Sequence, residues 1–244
     1  MTDKVKLLHI QTTQGYAGTL VRESQIVFNY RAGSTAQEIG LTMPLTAKSY
    51  SANTMPGVLR QHLPEGYLLN WIKQHFGKTM RLDDFSLLAL TGKDMIGRVR
   101  CSISEETSST YPDAESLSDL LTWHGTKELF GMLAAKYAAA SGVSGVQPKV
   151  LIPKVRNIEN GMVERSTKKD RDLIIKAAGI DFEGLPENEF HCMTIARKAG
   201  LQVPRFWLSE NKELFLIERF DREQGCSRFK NCKNKTVADP GTVD

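Results

Sequence analysis

Four short apolar runs follow one another in the second half of this chain, and a single helix-period stretch lies among them. The runs are Val150-Leu-Ile152, Leu173-Ile-Ile175, Val203–Leu208 and Leu214–Glu218. Each is too short for a helix and each is bounded by polar breaks, so each predicts a strand. Residues 186–199 predict a helix, with Pro186 at its start, Glu187 and Glu189 in its first turn, Arg197 and Lys198 in its last and Gly200 as its stop. A polar loop crowded with Lys, Arg and Asn (154–171) separates the first two strands, and Ser209-Glu-Asn-Lys212 joins the last two. Strand–loop–strand–helix–strand–strand is an α+β arrangement, not the strict alternation of a parallel α/β sheet.

The first half is also mixed. Residues 16–21 and 26–30 predict two strands around a polar Arg-Glu-Ser turn, and Ile26, Phe28 and Tyr30 alternate as in a half-buried strand. Leu68, Leu69, Ile72 and Phe76 share one helical face that stops at Gly77; Asp83-Asp84 precedes a second apolar helix through Leu90. Gly92–Gly97 reads as a turn into a strand at 98–102, and Leu129, Met132, Leu133 and Lys136 form a helical stripe within 126–139. After Arg222 the apolar periodicity is lost. The expected organisation is a β-rich and helical N-terminal subdomain (1–103), a linker and helix (104–140, its Ser-, Thr- and Glu-rich start at 104–118 a linker or a long surface loop), an α+β lobe (141–222) and an irregular, disordered tail (223–244).

Composition narrows the function only by exclusion. Hydrophobic residues are 41% and charged residues 25% of 244, enough to bury a core. The +4 balance, 32 basic against 28 acidic residues, is too weak to argue for nucleic acid. No apolar run reaches about 18 residues, so no membrane span is expected, and Met-Thr-Asp-Lys-Val-Lys lacks the apolar stretch of a signal peptide. Cys101, Cys192, Cys226 and Cys232 have neither Cys-x-x-Cys spacing nor a His spaced to complete a zinc site. Reduced thiols in a cytoplasmic protein with no metal site are the expectation.

Ser141-Gly-Val-Ser144-Gly145-Val146-Gln147-Pro148-Lys149 is the stretch with chemistry in it. Glycines and serines ahead of a strand can turn backbone N–H groups towards phosphate oxygens, although the segment fits neither the Walker pattern nor Gly-x-Gly-x-x-Gly and by itself reads more readily as a tight turn. Its company adds weight. Lys176 closes the apolar strand 173–175, Glu189 lies in the first turn of the next helix, and Leu214-Phe-Leu-Ile-Glu218-Arg-Phe-Asp221 ends in an acceptor-rich turn. Glycine loop, strand lysine, helix glutamate and hinge stand in kinase order. Taken singly, Lys176 reads as an exposed strand-end lysine, Glu189 as a carboxylate favouring the helix dipole, and Gln147 and Lys149 as edge-strand polar residues.

Together these segments resemble the HipA family of Ser/Thr protein kinase toxins. The resemblance is carried by Ser144-Gly-Val-Gln-Pro-Lys149, Leu173-Ile-Ile-Lys176, Asn188-Glu189-Phe190 with Ala199-Gly-Leu-Gln-Val-Pro204, and Glu218-Arg-Phe-Asp-Arg222. Met43-Pro-Leu45, Leu63-Pro-Glu65 and Leu90–Gly97 look like that family's first subdomain, so the resemblance covers about residues 10–222. It implies a kinase-like lobe in which 144–149 hold the nucleotide phosphates and Lys176 contacts them. Glu218, Arg219 and Phe220 would form the hinge that reads adenine, with Glu189 and Asp221 in support. It implies ATP and Mg²⁺ as cofactors and a small helix-turn-helix antitoxin, HipB-like, as partner, with DNA reached only through that antitoxin. One departure stands out: the family's autophosphorylated serine corresponds to Gly142 here.

The family's catalytic Asp-x-His-x-x-Asn loop and magnesium-binding Asp would lie beyond the hinge. After Asp221 the only acids are Glu223, Asp239 and Asp244, and no His follows His191. The expectation is therefore the front part of a kinase without its helical C-terminal lobe: catalytic residues none, magnesium ligands missing, and a tail read from a shifted frame or otherwise foreign to the family. An antitoxin-binding regulatory fragment and a degenerate, inactive fragment are the alternatives. Asp84-Phe85-Ser86 mimics a magnesium-binding motif but precedes the phosphate loop and is set aside; Trp71, Trp123 and Trp207 read as core or half-buried anchors, and His191 as a surface or partly packed residue.

Overall fold

The computed structural model describes residues 5–105, 115–124, 126–138, 142–152, 173–179, 183–223 and 226–227. Its first sheet has five antiparallel strands in the order β4-β3-β2-β1-β5, with β1 at Leu7–Thr12, β2 at Gly15–Arg22, β3 at Ile26–Tyr30, β4 at Ser49–Ala52 and β5 at Val99–Ser102. The alternation at Ile26, Phe28 and Tyr30 is that of β3, where Phe28 and Tyr30 turn inward. Strands β1 and β4 were not anticipated. In β1, Leu8 and Ile10 point into the core while His9 and Gln11 do not, so the alternation exists but spans only two apolar positions. In β4 no residue is fully buried, and with no apolar face to hide it leaves no hydrophobic signature.

Helices fill the space behind this sheet: α1 (Gly57–Arg60), α2 (Gly66–Phe76) and α3 (Asp84–Thr91). Phe85 is fully buried in α3, which leaves Asp84-Phe85-Ser86 a helix start and nothing more. Asp83 caps α3 by accepting the Ser86 N–H at 3.0 Å. Its carboxylate also takes Arg22 at the end of β2 in a two-pronged pair, at 2.8 and 2.5 Å. Burial alone would raise the Asp83 pKa, but the Arg22 hydrogen bonds, the Ser86 contacts and the Arg22 charge outweigh it and hold the group at about 2. A depressed folded-state pKa contributes stability that is present above the unfolded value near 3.8 and is lost as pH falls through 2. We expect the Asp83→Asn variant to be less stable than the parent chain at pH 7, with the difference shrinking between pH 4 and pH 2. Urea midpoints across that range would show it, and a constant difference would exclude the ionic contribution.

Two helices lie in the segment expected to hold a linker and a helix, the first starting where its Ser-, Thr- and Glu-rich stretch ends. Ser116 caps α4 (Leu117–Thr122), and α5 (Thr126–Tyr137) follows. Glu115 accepts from Lys136 Nζ at 2.6 Å and from the Tyr137 hydroxyl at 3.0 Å, which ties the entry of α4 to the last turn of α5. Ser, Thr and Glu suit a cap as well as they suit a loop, which is why composition alone did not separate the two; residues 106–114 lie outside the described residues.

The second sheet has four antiparallel strands in the order β6-β7-β9-β8: β6 at Lys149–Ile152, β7 at Leu173–Ala177, β8 at Phe206–Leu208 and β9 at Leu214–Glu218. Between β7 and β8 runs α6 (Leu185–Lys198), started by a proline in its first turn. The third run is shorter than predicted because its first residues, including Pro204 with no N–H to donate, lie before the ladder. The polar loop 154–171 lies outside the described residues. A ribbon of β10 (Arg222–Glu223) and β11 (Cys226–Ser227) accounts for the described part of the tail. Residues from both large sheets and from α2, α3, α4 and α5 belong to one continuous apolar cluster, from Leu8, Phe28 and Leu88 through Leu133 to Val150, Ile175 and Leu216. Trp71, Trp123 and Trp207 pack against it, partly buried. No helix among the described residues is long and apolar enough to cross a membrane.

Candidate functional site

The register of β6 against β7 sets Lys149 directly opposite Lys176. Cross-strand partners share a face, so two cationic side chains stand together at the edge of the second sheet. Lys176 meets Glu189 in the first half of α6, with Nζ 2.5 Å from Oε2 and both side chains about three-quarters buried. The same ammonium lies 5.8 Å from the ring centroid of Phe215 on β9. Lys149 has a harder environment. Burial lowers its pKa, the neighbouring charge of Lys176 lowers it further, and Glu189 and Glu65 only partly oppose this.

Residues 144–148 form the connection into β6. Val146 is two-thirds exposed at the tip, yet its backbone is held: its carbonyl accepts the Tyr67 N–H at 3.4 Å from the start of α2. Gly66, at φ +50°, lets that helix start approach so closely that a Cβ there would lie 2.6 Å from the Val146 Cα and carbonyl oxygen. The Pro148 carbonyl accepts the Ala177 N–H at 2.9 Å, and the Gln147 side-chain nitrogen is buried without a hydrogen-bond partner. The loop is thus clamped by the first half of the chain on one side and by β7 on the other. Gly142 forms a bridge with Met95 and donates its N–H to Asp94 O at 3.0 Å. A side chain at 142 would meet Met95 Cγ at 2.6 Å and Thr91 O at 3.0 Å, so the contact leaves no room for one.

A cavity of about 580 Å³ opens beside this loop, within the usual range for small-molecule sites. Ser144, Lys149, Ile174 and Lys176 line it from the second sheet; Gln61, His62 and Arg98 contribute from the first half of the chain. Burial pushes the His62 pKa down to about 4, leaving its imidazole neutral at pH 7.

The expected hinge residues are placed elsewhere. None of Glu218, Arg219 and Phe220 lines this cavity. Glu218 is engaged by Arg205, with Nε at 2.9 Å and Nη2 at 2.6 Å, and its N–H donates to Arg205 O. Phe220 is more than half exposed. The Arg219 guanidinium is buried: it reaches Asp221 at 2.9 and 2.6 Å, Asp94 at 3.1 Å and Met95 O at 3.0 Å, while Asp221 also accepts the Gly97 N–H at 2.7 Å. Burial alone would weaken its charge; Asp221 and Asp94 more than restore it. The structure therefore brings Ser144, Lys149, Lys176 and Glu189 together, and gives Arg219 and Asp221 to a buried ionic knot that fastens the end of β9 to residues 94–97. His191 is exposed and 3.7 Å from Glu187. Asp94, Arg98 and His62 were not singled out from sequence; a lone Asp inside Gly92–Gly97 carries no sign that its partner lies 125 residues on.

The five-stranded sheet and the four-stranded sheet share one apolar core, and Lys176 of the second meets Glu189 of α6 at its edge. Residues 8–102 match the model of the HipA N-terminal domain and residues 141–238 that of the HipA-like C-terminal domain. The chain belongs to this family: it is a HipA-like protein. The second match runs to residue 238, past Arg222, where the family pattern was expected to stop. Over 183 residues the chain is 27% identical to "Putative kinase Y4dM" of Sinorhizobium fredii, covering 69% of this chain and 41% of that protein. A Shewanella oneidensis MR-1 HipA structure, solved with HipB and operator DNA, has the same fold, with a TM-score of 0.54 at 19% identity over 88% of this chain and 51% of its own. The chain spans about half the length of these relatives.

Proposed function

We propose that these residues form the N-terminal and ATP-binding part of a HipA-like Ser/Thr protein kinase. The observation that carries the reading is the Lys176–Glu189 pair beside the 144–149 loop, at the mouth of a cavity of ligand size. A strand lysine braced by a helix glutamate is the arrangement by which kinases hold nucleotide phosphates, and positioning with electrostatic stabilisation is most of what phosphoryl transfer requires of a protein. In this reading Lys176 takes a phosphate oxygen, Glu189 fixes its rotamer, and the backbone of 144–149 covers the phosphates. No hinge role is carried over to Glu218–Phe220, which do not line the cavity and whose Arg219 side chain is engaged by Asp94 and Asp221.

Magnesium fits less well. Among the described residues no group of three or more His, Cys, Asp or Glu is placed to hold a metal ion. For these 244 residues taken alone we expect binding without transfer: γ-labelled ATP with Mg²⁺, a generic protein substrate and the chain's own serines should give no incorporated label. Label that vanishes in Lys176→Ala would place catalytic acids among residues assigned no such role above. As partner we propose a small helix-turn-helix antitoxin, with DNA contacted through it, because the fold shared with the HipB-bound relative extends over most of this chain. Co-purification with such a protein, and its loss of operator affinity when the chain is removed, would test this.

A further inference from the structure

The cavity is not a property of the second sheet alone. Arg98 stands where β5 begins, in the segment matched by the HipA N-terminal domain, and lines the cavity together with Lys149 and Lys176. No carboxylate is among the lining residues. Glu189 neutralises Lys176, but Lys149 has no acid within ion-pairing distance among the described residues. Arg98 donates through Nη2 to the Ala36 carbonyl, a neutral acceptor, and its Nε is buried with no hydrogen-bond partner. A cavity wall that gathers Arg98, Lys149 and Lys176, with only Lys176 in an ion pair and with an unmet buried donor on Arg98, is costly unless an anion enters it. Its other walls, Ile39, Val58, Ile96 and Ile174, are apolar and suit a flat, uncharged moiety attached to that anion.

We propose that the N-terminal domain is itself part of the ligand site, with Arg98 binding an anionic oxygen of the same nucleoside polyphosphate that Lys149 and Lys176 hold. The inference rests on the nucleotide reading above and adds to it a binding residue from the other family segment. It makes occupancy of the cavity a contact between the two segments: ligand binding would draw residues 96–99 and the 144–149 loop towards a common charge. Arg98 is a binding residue in this scheme, with no part in moving protons.

Titration calorimetry on the full chain, with Mg·ATP, AMP and inorganic tripolyphosphate as separate probes, tests it. We expect Arg98→Met to weaken Mg·ATP and tripolyphosphate at least about tenfold, the range for a lost hydrogen bond to a charged group, to change AMP much less, and Arg98→Lys to recover part of the loss. Because Arg98→Met also gives up its bond to Ala36, Gln61→Glu serves as a second variant. It is nearly isosteric, sits on the exposed rim, and should weaken both polyphosphates by placing an acid beside them. Parent chain that binds Mg·ATP, with both variants binding equally well, overturns the inference and leaves the nucleotide reading standing. Tripolyphosphate binding that depends on Arg98, without any ATP binding, does the reverse. Binding of neither probe to the parent overturns both.

Discussion

Replacing Arg219 with methionine should destabilise the chain by about 3–5 kcal/mol, the cost of removing one partner from a buried ionic group. The guanidinium is 1% exposed and its two carboxylate partners hardly more. Methionine fills much of the volume but leaves Asp94 and Asp221 facing each other in a space closed to water, and frees the Met95 carbonyl as well. The size of the effect comes from removing the counter-ion of two buried carboxylates and not from the strength of the original pairs. A triple variant, Arg219→Met with Asp94→Asn and Asp221→Asn, should therefore recover a substantial part of the loss, since it removes the charges along with their counter-ion. Urea unfolding with an unchanged slope would measure both. A loss under about 1 kcal/mol for the single variant would mean that water reaches the cluster and that the knot holds little.

The second large effect is on ligand binding and leaves the fold nearly intact. Lys176→Ala is expected to weaken Mg·ATP at least about 30-fold, because a lysine on phosphate makes charge-assisted hydrogen bonds worth several times a neutral one. Glu189 loses its partner but keeps about a quarter of its side chain in contact with solvent, so the change in stability should stay near 1 kcal/mol. Glu189→Gln should weaken binding less, since it loosens Lys176 without removing it. Titration of a fluorescent ATP analogue, paired with a thermal melt of each variant, separates the two readouts. Unchanged affinity in a folded Lys176→Ala protein would remove the ground for reading this sheet as a nucleotide site.

What could be read in the sequence follows the range of the interaction. The α6 boundaries were legible because proline, acids, basic residues and glycine act within a turn or two of where they stand. The pairing of Lys176 with Glu189 was legible at one remove, through the order of glycine loop, strand lysine and helix acid, 13 residues apart. Strand β4 was not, because a strand with no buried face writes no pattern. The Arg219 knot was not either: Glu218-Arg-Phe-Asp221 read as a hinge sequence, and nothing local tells that its arginine turns back to a turn far upstream. Arg98, Gln61 and His62 reach the cavity through the packing of one sheet on another, which depends on the joint shape of many side chains and not on any motif.

The apolar cluster that runs unbroken from Leu8 to Leu216 has an evolutionary consequence. Two recognisable family segments would ordinarily be expected to drift, recombine and be exchanged as separate pieces. Here each covers apolar surface of the other that separation would expose to water. Leu88, Leu133 and Val150 share one packed cluster, so acceptable substitutions in one segment depend on the lineage of the other. Chimeras joining the first segment of one relative to the second of another should fail far more often than either parent's own point variants. The two segments are inherited as one.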